Sequence, residues 1–256
     1  RDGVMEVRLA HAPLNEIGRE VLAGLEQCLD EVERSQPGAL LVYSDLPRGF
    51  CAGADLRGLY FEIRDRPARS YLPEVGDFLD RVHRVMNRLD CLPVTTVGAI
   101  HGPCFGGGFE LALTLDVLVA DASARFCFPE LRLGLIPGFG GVPRLRRELP
   151  NAVIRDLLLT GRSINAKRAA ELGLVSQVVA VGQALEVARA TARQAARFAP
   201  EVVASSKAFV KPLPDAELAE EKRRFLELFA QPRVAEALRR FVESEDKMPY
   251  LPPGER

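Results

Sequence analysis

Residues 93–116 read PVTTVGAIHGPCFGGGFELALTLD and compress a strand, a glycine turn and the start of a helix into one stretch. Val94, Thr95, Thr96, Val97 and Ile100 favour extended structure, whereas Gly106, Gly107 and Gly108 admit backbone conformations that a Cβ would hinder. Glu110 to Leu115 suits a helix. On a helix beginning near Gly107, the carboxyl of Glu110 comes round three positions later on the same face. One face of the turn would then present a backbone N–H and a carboxyl group together.

Outward from this stretch the chain alternates strand and helix patterns. Val4, Val7 and Leu9 fit a first strand, and Ile17, Val21, Leu25, Cys28, Leu29 and Val32 form the apolar stripe of a helix that Pro37 and Gly38 end. Ala39 to Tyr43 reads as a buried strand, followed by a turn-rich loop ending in PRGFCAGADL. Arg57 to Gly76 is polar, carries Pro67 and Pro73, and is expected to be a mobile surface segment; helical spacing returns with Phe78, Val82, Val85, Met86 and Leu89. Beyond the central stretch, Val117 to Ala120 and Ala124 to Cys127 read as short strands, and PELRLGLIPGFGG as a ligand-facing loop. Short helices are expected at Val142 to Glu148, Ala152 to Thr160 and Ala166 to Leu172, with Asn165 as an N-cap and Gly161 and Gly173 as C-caps. A last strand is expected at Leu174 to Ala180, and the chain is helical from Ala184 onward.

The 256 residues suit one large α/β domain or such a domain with a helical extension. A content of 47% hydrophobic and 27% charged residues is that of a folded globular chain rather than a disordered one. The formal net charge of −1 offers no general attraction to nucleic acid or to an anionic membrane, so neither is an expected partner. Asp116, Asp121 and Arg125 interrupt the apolar runs well short of the ~18 residues a membrane span needs, and a soluble cytoplasmic protein is expected. Cys28, Cys51, Cys91, Cys104 and Cys127 are scattered with no CxxC pair, which suits small buried hydrophobes in a reducing compartment rather than zinc ligands or disulfides.

Gly102 to Gly108 lacks the Lys-Ser/Thr of a phosphate loop, and the chain has no GxSxG, no HExxH and no GxGxxG that opens a helix after a strand. Two glutamates, Glu110 and Glu130, and two glycine-bearing turns remain. Taken singly, each glutamate is read as a salt-bridged or solvated residue. Taken together, FCAGADL at 50–56, HGPCFGGGFELAL at 101–113, PELRLGLIPGFGG at 129–141, LTG at 159–161 and AAELGLV at 169–175 resemble the crotonase family of enoyl-CoA hydratases and isomerases, in that family's order and spacing.

The resemblance implies an α/β fold, a spiral core of ββα turns over residues 1–198 and a C-terminal helical region over 199–256 that packs on the core or a neighbouring subunit, building a homotrimer or a dimer of trimers. It implies a thioester oxygen held by the backbone N–H groups of Ala54 and Gly107, where enolate charge would develop. Residues matching Glu110 and Glu130 handle water and protons in family hydratases, whereas isomerases commonly keep only the glutamate matching Glu130. Hydration of a 2-enoyl-CoA is therefore the expected reaction, with isomerisation, another enolate chemistry on a carrier-protein thioester, or a non-catalytic acyl-CoA-binding role as alternatives. Ala52, Asp55 and Leu56 would meet the adenine end of coenzyme A, Arg57 its phosphates, and Lys247 a neighbour's ligand. Phe128 departs from the polar residue common before Pro-Glu and would shape the acyl pocket. His83 and His101 are read as structural more readily than as acid–base groups. No metal or cofactor is expected beyond the coenzyme A of the substrate.

Overall fold

The computed structural model describes residues 3–244. In chain order, β1 (Val4–Leu9), α1 (Arg19–Ser35) and β2 (Ala39–Ser44) lead through α2 (Leu56–Ile63) and α3 (Ala68–Asp90) to β3 (Thr95–Ile100), β4 (Pro103–Phe105) and α4 (Gly107–Ala112). Next come β5 (Val117–Asp121), β6 (Arg125–Cys127), a 3-10 turn at Glu130–Leu133, α5 (Gly141–Glu148), α6 (Asn151–Thr160), β7 (Ile164–Asn165), α7 (Ala166–Glu171) and β8 (Gln177–Val179). Four helices finish the described chain: α8 (Ala184–Ala195), α9 (Pro200–Val210), α10 (Asp215–Phe229) and α11 (Pro232–Glu243).

A five-stranded parallel sheet runs in the order β1-β2-β3-β5-β8, and a second sheet, β4-β6-β7, stands beside it. The strands are hydrophobic on both sides because both faces of the large sheet are covered. Leu40 and Val42 of β2 join the larger core, under α1 and α3; the alternating Ala39 and Leu41 join a second cluster with Ala184, Ala188 and Ala192 of α8. The small alanines at four-residue spacing let α8 lie close on the sheet. The α/β architecture expected from the sequence is present, and among the described residues no helix is long and apolar enough to cross a membrane.

The segment expected to be mobile is instead α2 and the first turns of α3. Its polar residues are the solvent face of a helix whose other face buries Tyr71, Val75, Leu79 and Val82, and Pro73 lies inside α3, where it has no N–H to offer the Arg69 carbonyl. Asn165 caps α7 by accepting from the Arg168 N–H, and Gly161 ends α6 at φ +61°, as their residue types suggest. The last strand is shorter than expected, at Gln177–Val179.

The C-terminal helices fold back onto the core: α10 packs against α3 and α5, and α11 against α2 and the 3-10 turn. Lys222 pairs with Asp80 to tie α10 to α3. Beneath them lies a buried charge cluster. Asp90, at the end of α3, meets Arg144 Nε at 2.8 Å, Arg147 at 3.0 Å and Lys211 at 3.0 Å. Burial alone would raise the Asp90 carboxyl, but Lys211, Arg144 and Arg147 outweigh it and hold it below its usual value. Asp90 is thus ionised and stabilising above the unfolded carboxylate value of 3.8, and its contribution fades as pH falls below that value. Asp90→Asn leaves Arg144, which has no exposed surface, without its counter-charge. An expected loss of about 3–5 kcal/mol should appear as a lower denaturation midpoint at neutral pH, with the difference shrinking in acid.

Candidate active site

The central stretch forms as its residues dictate. After β4, Gly106 turns at φ +48° and opens α4. Gly108 is compelled by close approach, since a Cβ there would lie 2.3 Å from the carbonyl oxygen of Cys51. That contact, with the pairing of Cys51 to Cys104, draws the CAGAD loop against the glycine turn. The Ala54 nitrogen consequently lies 3.4 Å from the point a Gly107 Cβ would occupy, a point the Phe139 ring approaches to 2.8 Å, so only glycine lets the loop and the ring close on α4 here. Neither the Ala54 nor the Gly107 amide donates to another residue of the described chain.

Both amides border a cavity of about 710 Å³. Ala52, Ala54, Asp55, Leu56, Gly106, Gly107, Glu110, Pro129 and Glu130 line one part of it, while Tyr71, Val75, Phe78, Phe139, Phe225 and Phe229 make an apolar wall. Asp55 also caps α2 by accepting from the Gly58 N–H at 2.8 Å. Two expected positions fall elsewhere. Arg57 does not line the cavity and donates to the Val242 carbonyl of α11 at 3.4 Å. Phe128 does not line the cavity: it is 1% exposed, stacks on Phe109 at 4.6 Å, and belongs to the core. Lys247 lies outside the described residues.

Glu110 is almost fully buried, and its Oε1 accepts from the amides of Phe139 at 2.7 Å and Gly141 at 2.8 Å, leaving Oε2 for the cavity. Burial raises its carboxyl to about 7, even though those two amides and Arg144 favour the ionised form. Glu130 follows on the 3-10 turn, with its Oε2 shielded and without a hydrogen-bond partner. Burial first, and then the neighbouring Glu110 charge, lift its carboxyl well above the ordinary value. Two carboxyls, both raised by burial, thus line one cavity beside two unspent amides.

The sequence reading passed over a third buried carboxyl. Glu221 of α10 accepts from the amides of Gly140 at 2.7 Å and Val142 at 2.8 Å. Burial and then the proximity of Glu110 push it well above its usual value too. The available signal was an acid in the apolar stripe Leu218-Glu221-Phe225-Phe229, at a position where a solvated residue would not belong. The histidines are structural: the Nε2–H of His83 donates to the Gly138 carbonyl and that of His101 to the Leu46 carbonyl, both at 2.8 Å.

An acid raised by burial is better tolerated when protonated, so Glu110 costs stability progressively as pH rises from 4.5, its unperturbed value, through about 7. Glu110→Gln keeps an amide oxygen for the Phe139 and Gly141 N–H groups and removes the titration. The variant should gain on the parent in unfolding free energy over that pH range, by up to roughly 3 kcal/mol, read from denaturation midpoints; a difference independent of pH would contradict the assignment.

A family model described as Enoyl-CoA hydratase/isomerase matches residues 1–249. The chain is 33% identical to the Mycobacterium bovis protein named "Probable enoyl-CoA hydratase echA8" over 250 residues, covering 95% of this chain and 92% of that one. It is 34% identical over 189 residues to the mitochondrial methylglutaconyl-CoA hydratase of Rattus norvegicus, covering 73% of this chain and 58% of the relative. Among solved structures, Pseudomonas aeruginosa DspI is 30% identical with a TM-score of 0.74, covering 90% of this chain and 93% of that one. The enoyl-CoA hydratase of Bacillus halodurans shares the fold at a TM-score of 0.83 and 22% identity, covering 93% and 96%.

Proposed function

The chain belongs to the enoyl-CoA hydratase/isomerase family, and on that premise we propose that it adds water reversibly across the double bond of a 2-enoyl thioester of coenzyme A. The observation that carries this reading is the pair of buried carboxyls, Glu110 and Glu130, on a cavity that also presents the free amides of Ala54 and Gly107.

The thioester carbonyl oxygen lies between those two amides. Attack at Cβ moves electron density onto that oxygen, and donors already fixed by the Gly108 contact stabilise the enolate without reorganising. Glu110, with its Oε1 anchored by two amides, uses Oε2 to take a proton from the attacking water. Glu130, whose proton is retained through burial and the neighbouring Glu110, delivers it to Cα. Exchange with solvent returns Glu110 and Glu130 to their starting states. The apolar wall from Tyr71 to Phe229 receives the acyl chain, and Ala52, Asp55 and Leu56 border the coenzyme A side.

Crotonyl-CoA should lose the absorbance of its conjugated thioester with the native protein, and Glu110→Gln and Glu130→Gln should each reduce kcat by about a hundredfold or more. The rate should rise with pH through about 7 as Glu110 ionises, and Glu110→Gln should abolish that limb. An absorbance increase from a 3-enoyl-CoA, without hydration of any 2-enoyl thioester, would establish isomerisation instead. Acyl-CoA binding by calorimetry without turnover across an enoyl thioester panel would establish a non-catalytic role.

Assembly as a homotrimer or a dimer of trimers is part of the same reading, supported by the exposed apolar residues Phe198, Val202, Phe209 and Val210 on and beside α9. Light scattering should give a mass of three or six chains, and a monomer at micromolar concentration would contradict it.

A further inference from the structure

Four consecutive amides, Phe139 to Val142, point into the protein interior at the start of α5 and are divided alternately between two carboxyls. Glu110 takes the first and third on a single oxygen, and Glu221 takes the second and fourth on one oxygen each. The carbonyl side of the turn is fixed as well: His83 donates to Gly138, and Arg144 to Phe139 at 3.3 Å and Gly140 at 3.1 Å. Gly140 itself turns at φ +98°, and a Cβ there would collide with Arg144 and with Leu218 of α10. The turn therefore has no slack, and half of its amide restraint comes from a helix some eighty residues away.

We propose that Glu221 is a positioning residue for the reaction: by holding the Gly140 and Val142 amides it sets the turn whose Phe139 and Gly141 amides clamp Oε1 of Glu110, leaving Oε2 aimed at substrate. This rests on the hydratase reading and extends it to α10. The same helix face carries Leu218 against the turn and Phe225 and Phe229 into the cavity wall, at spacings of three to four residues. Docking of α10 thus completes the wall and aligns the catalytic carboxyl in one event.

The groups facing Glu110 are Glu130, Glu221, Arg144 and the two amides; those facing Glu221 are Glu110, Glu130, Arg144 and its own two amides. Glu221→Gln keeps one acceptor but turns an NH2 donor toward the other N–H, and Glu221→Leu removes both acceptors. Expected are a fall in kcat of about tenfold to a hundredfold, larger for Leu than for Gln, with KM within about twofold because Ala54 and Gly107 are untouched. The Glu110 limb of the pH profile should move upward, since the amides that favour its ionised form are loosened. Glu217→Gln, on the same helix as Glu221, removes only the exposed pair with Arg146 of α5 and should leave kcat and the limb unchanged.

A fall in kcat matched by a fall in thermal midpoint, with the limb unmoved, would reduce Glu221 to a merely structural residue and overturn the proposal. A limb that moves downward would show Glu221 acting as a charge rather than as a clamp, and would overturn it too. Hydrogen exchange of the 138–145 segment without ligand reads the turn independently of activity: faster exchange in Glu221→Gln is expected, and parent-like exchange contradicts the clamp. If the native protein hydrates no enoyl thioester, the reaction assignment fails, while the exchange result still decides what Glu221 does to the turn.

Discussion

Buried amides must be paired, and each one left unmet costs about 1–3 kcal/mol. At the Phe139–Val142 turn that requirement is met by carboxylates rather than by backbone, because the chain is entering α5 and has no preceding carbonyls to offer. The choice of acceptors determines the rest of the site. A carboxyl that caps a buried turn is desolvated, its proton affinity rises, and its free oxygen is held at a fixed angle; these are the properties a proton-transfer group needs near neutral pH. One oxygen of Glu110 satisfies the turn, and the other is left for the chemistry proposed above.

The opposite wall obeys a different constraint. Around Ala54 and Gly107 the donors stay unpaired, and this is possible because the site is open to a cavity on that side. The glycines of residues 106–108 matter less for flexibility than for contact: Gly108 lets the Cys51 carbonyl approach, and Gly106 leaves room for the Glu130 carboxyl, whose Oε1 would be 2.7 Å from a Cβ at that position. Larger residues at either place would push the CAGAD loop or the Glu130 turn away from α4. Arg144 and Asp90 then fasten the turn to the end of α3, so the charge cluster under the C-terminal helices supports the site from behind.

Local signals made the alternating strands and helices, the central glycine turn and the caps at Gly161 and Asn165 legible in the sequence. Spatially, Glu110, Glu130, Ala54 and Gly107 come together on one cavity because three separated motifs converge, something no single motif announces. Phe128 lies two residues before Glu130, but the chain turns at Pro129 into the 3-10 turn, and Phe128 stays in the core stacked on Phe109. The polar run before Gly76 concealed an amphipathic helix, since only every third or fourth residue is buried. Glu221 escaped notice because its partners lie some eighty residues away, and its place in an apolar stripe marks burial without telling which groups it meets. Long-range pairing of a polar group with backbone leaves no trace in composition or periodicity.

The central claim is that a thioester oxygen is received by the Ala54 and Gly107 amides with Glu110 and Glu130 on the reacting carbons. A crystal structure with a 3-ketoacyl-CoA, whose enolate form resembles the charge distribution of the reaction, tests it directly. The thioester oxygen is expected about 3 Å from both nitrogens, with carboxyl oxygens of Glu110 and Glu130 beside Cβ and Cα respectively. A bound thioester whose oxygen contacts neither amide, or whose Cα and Cβ lie away from both glutamates, would contradict the assignment.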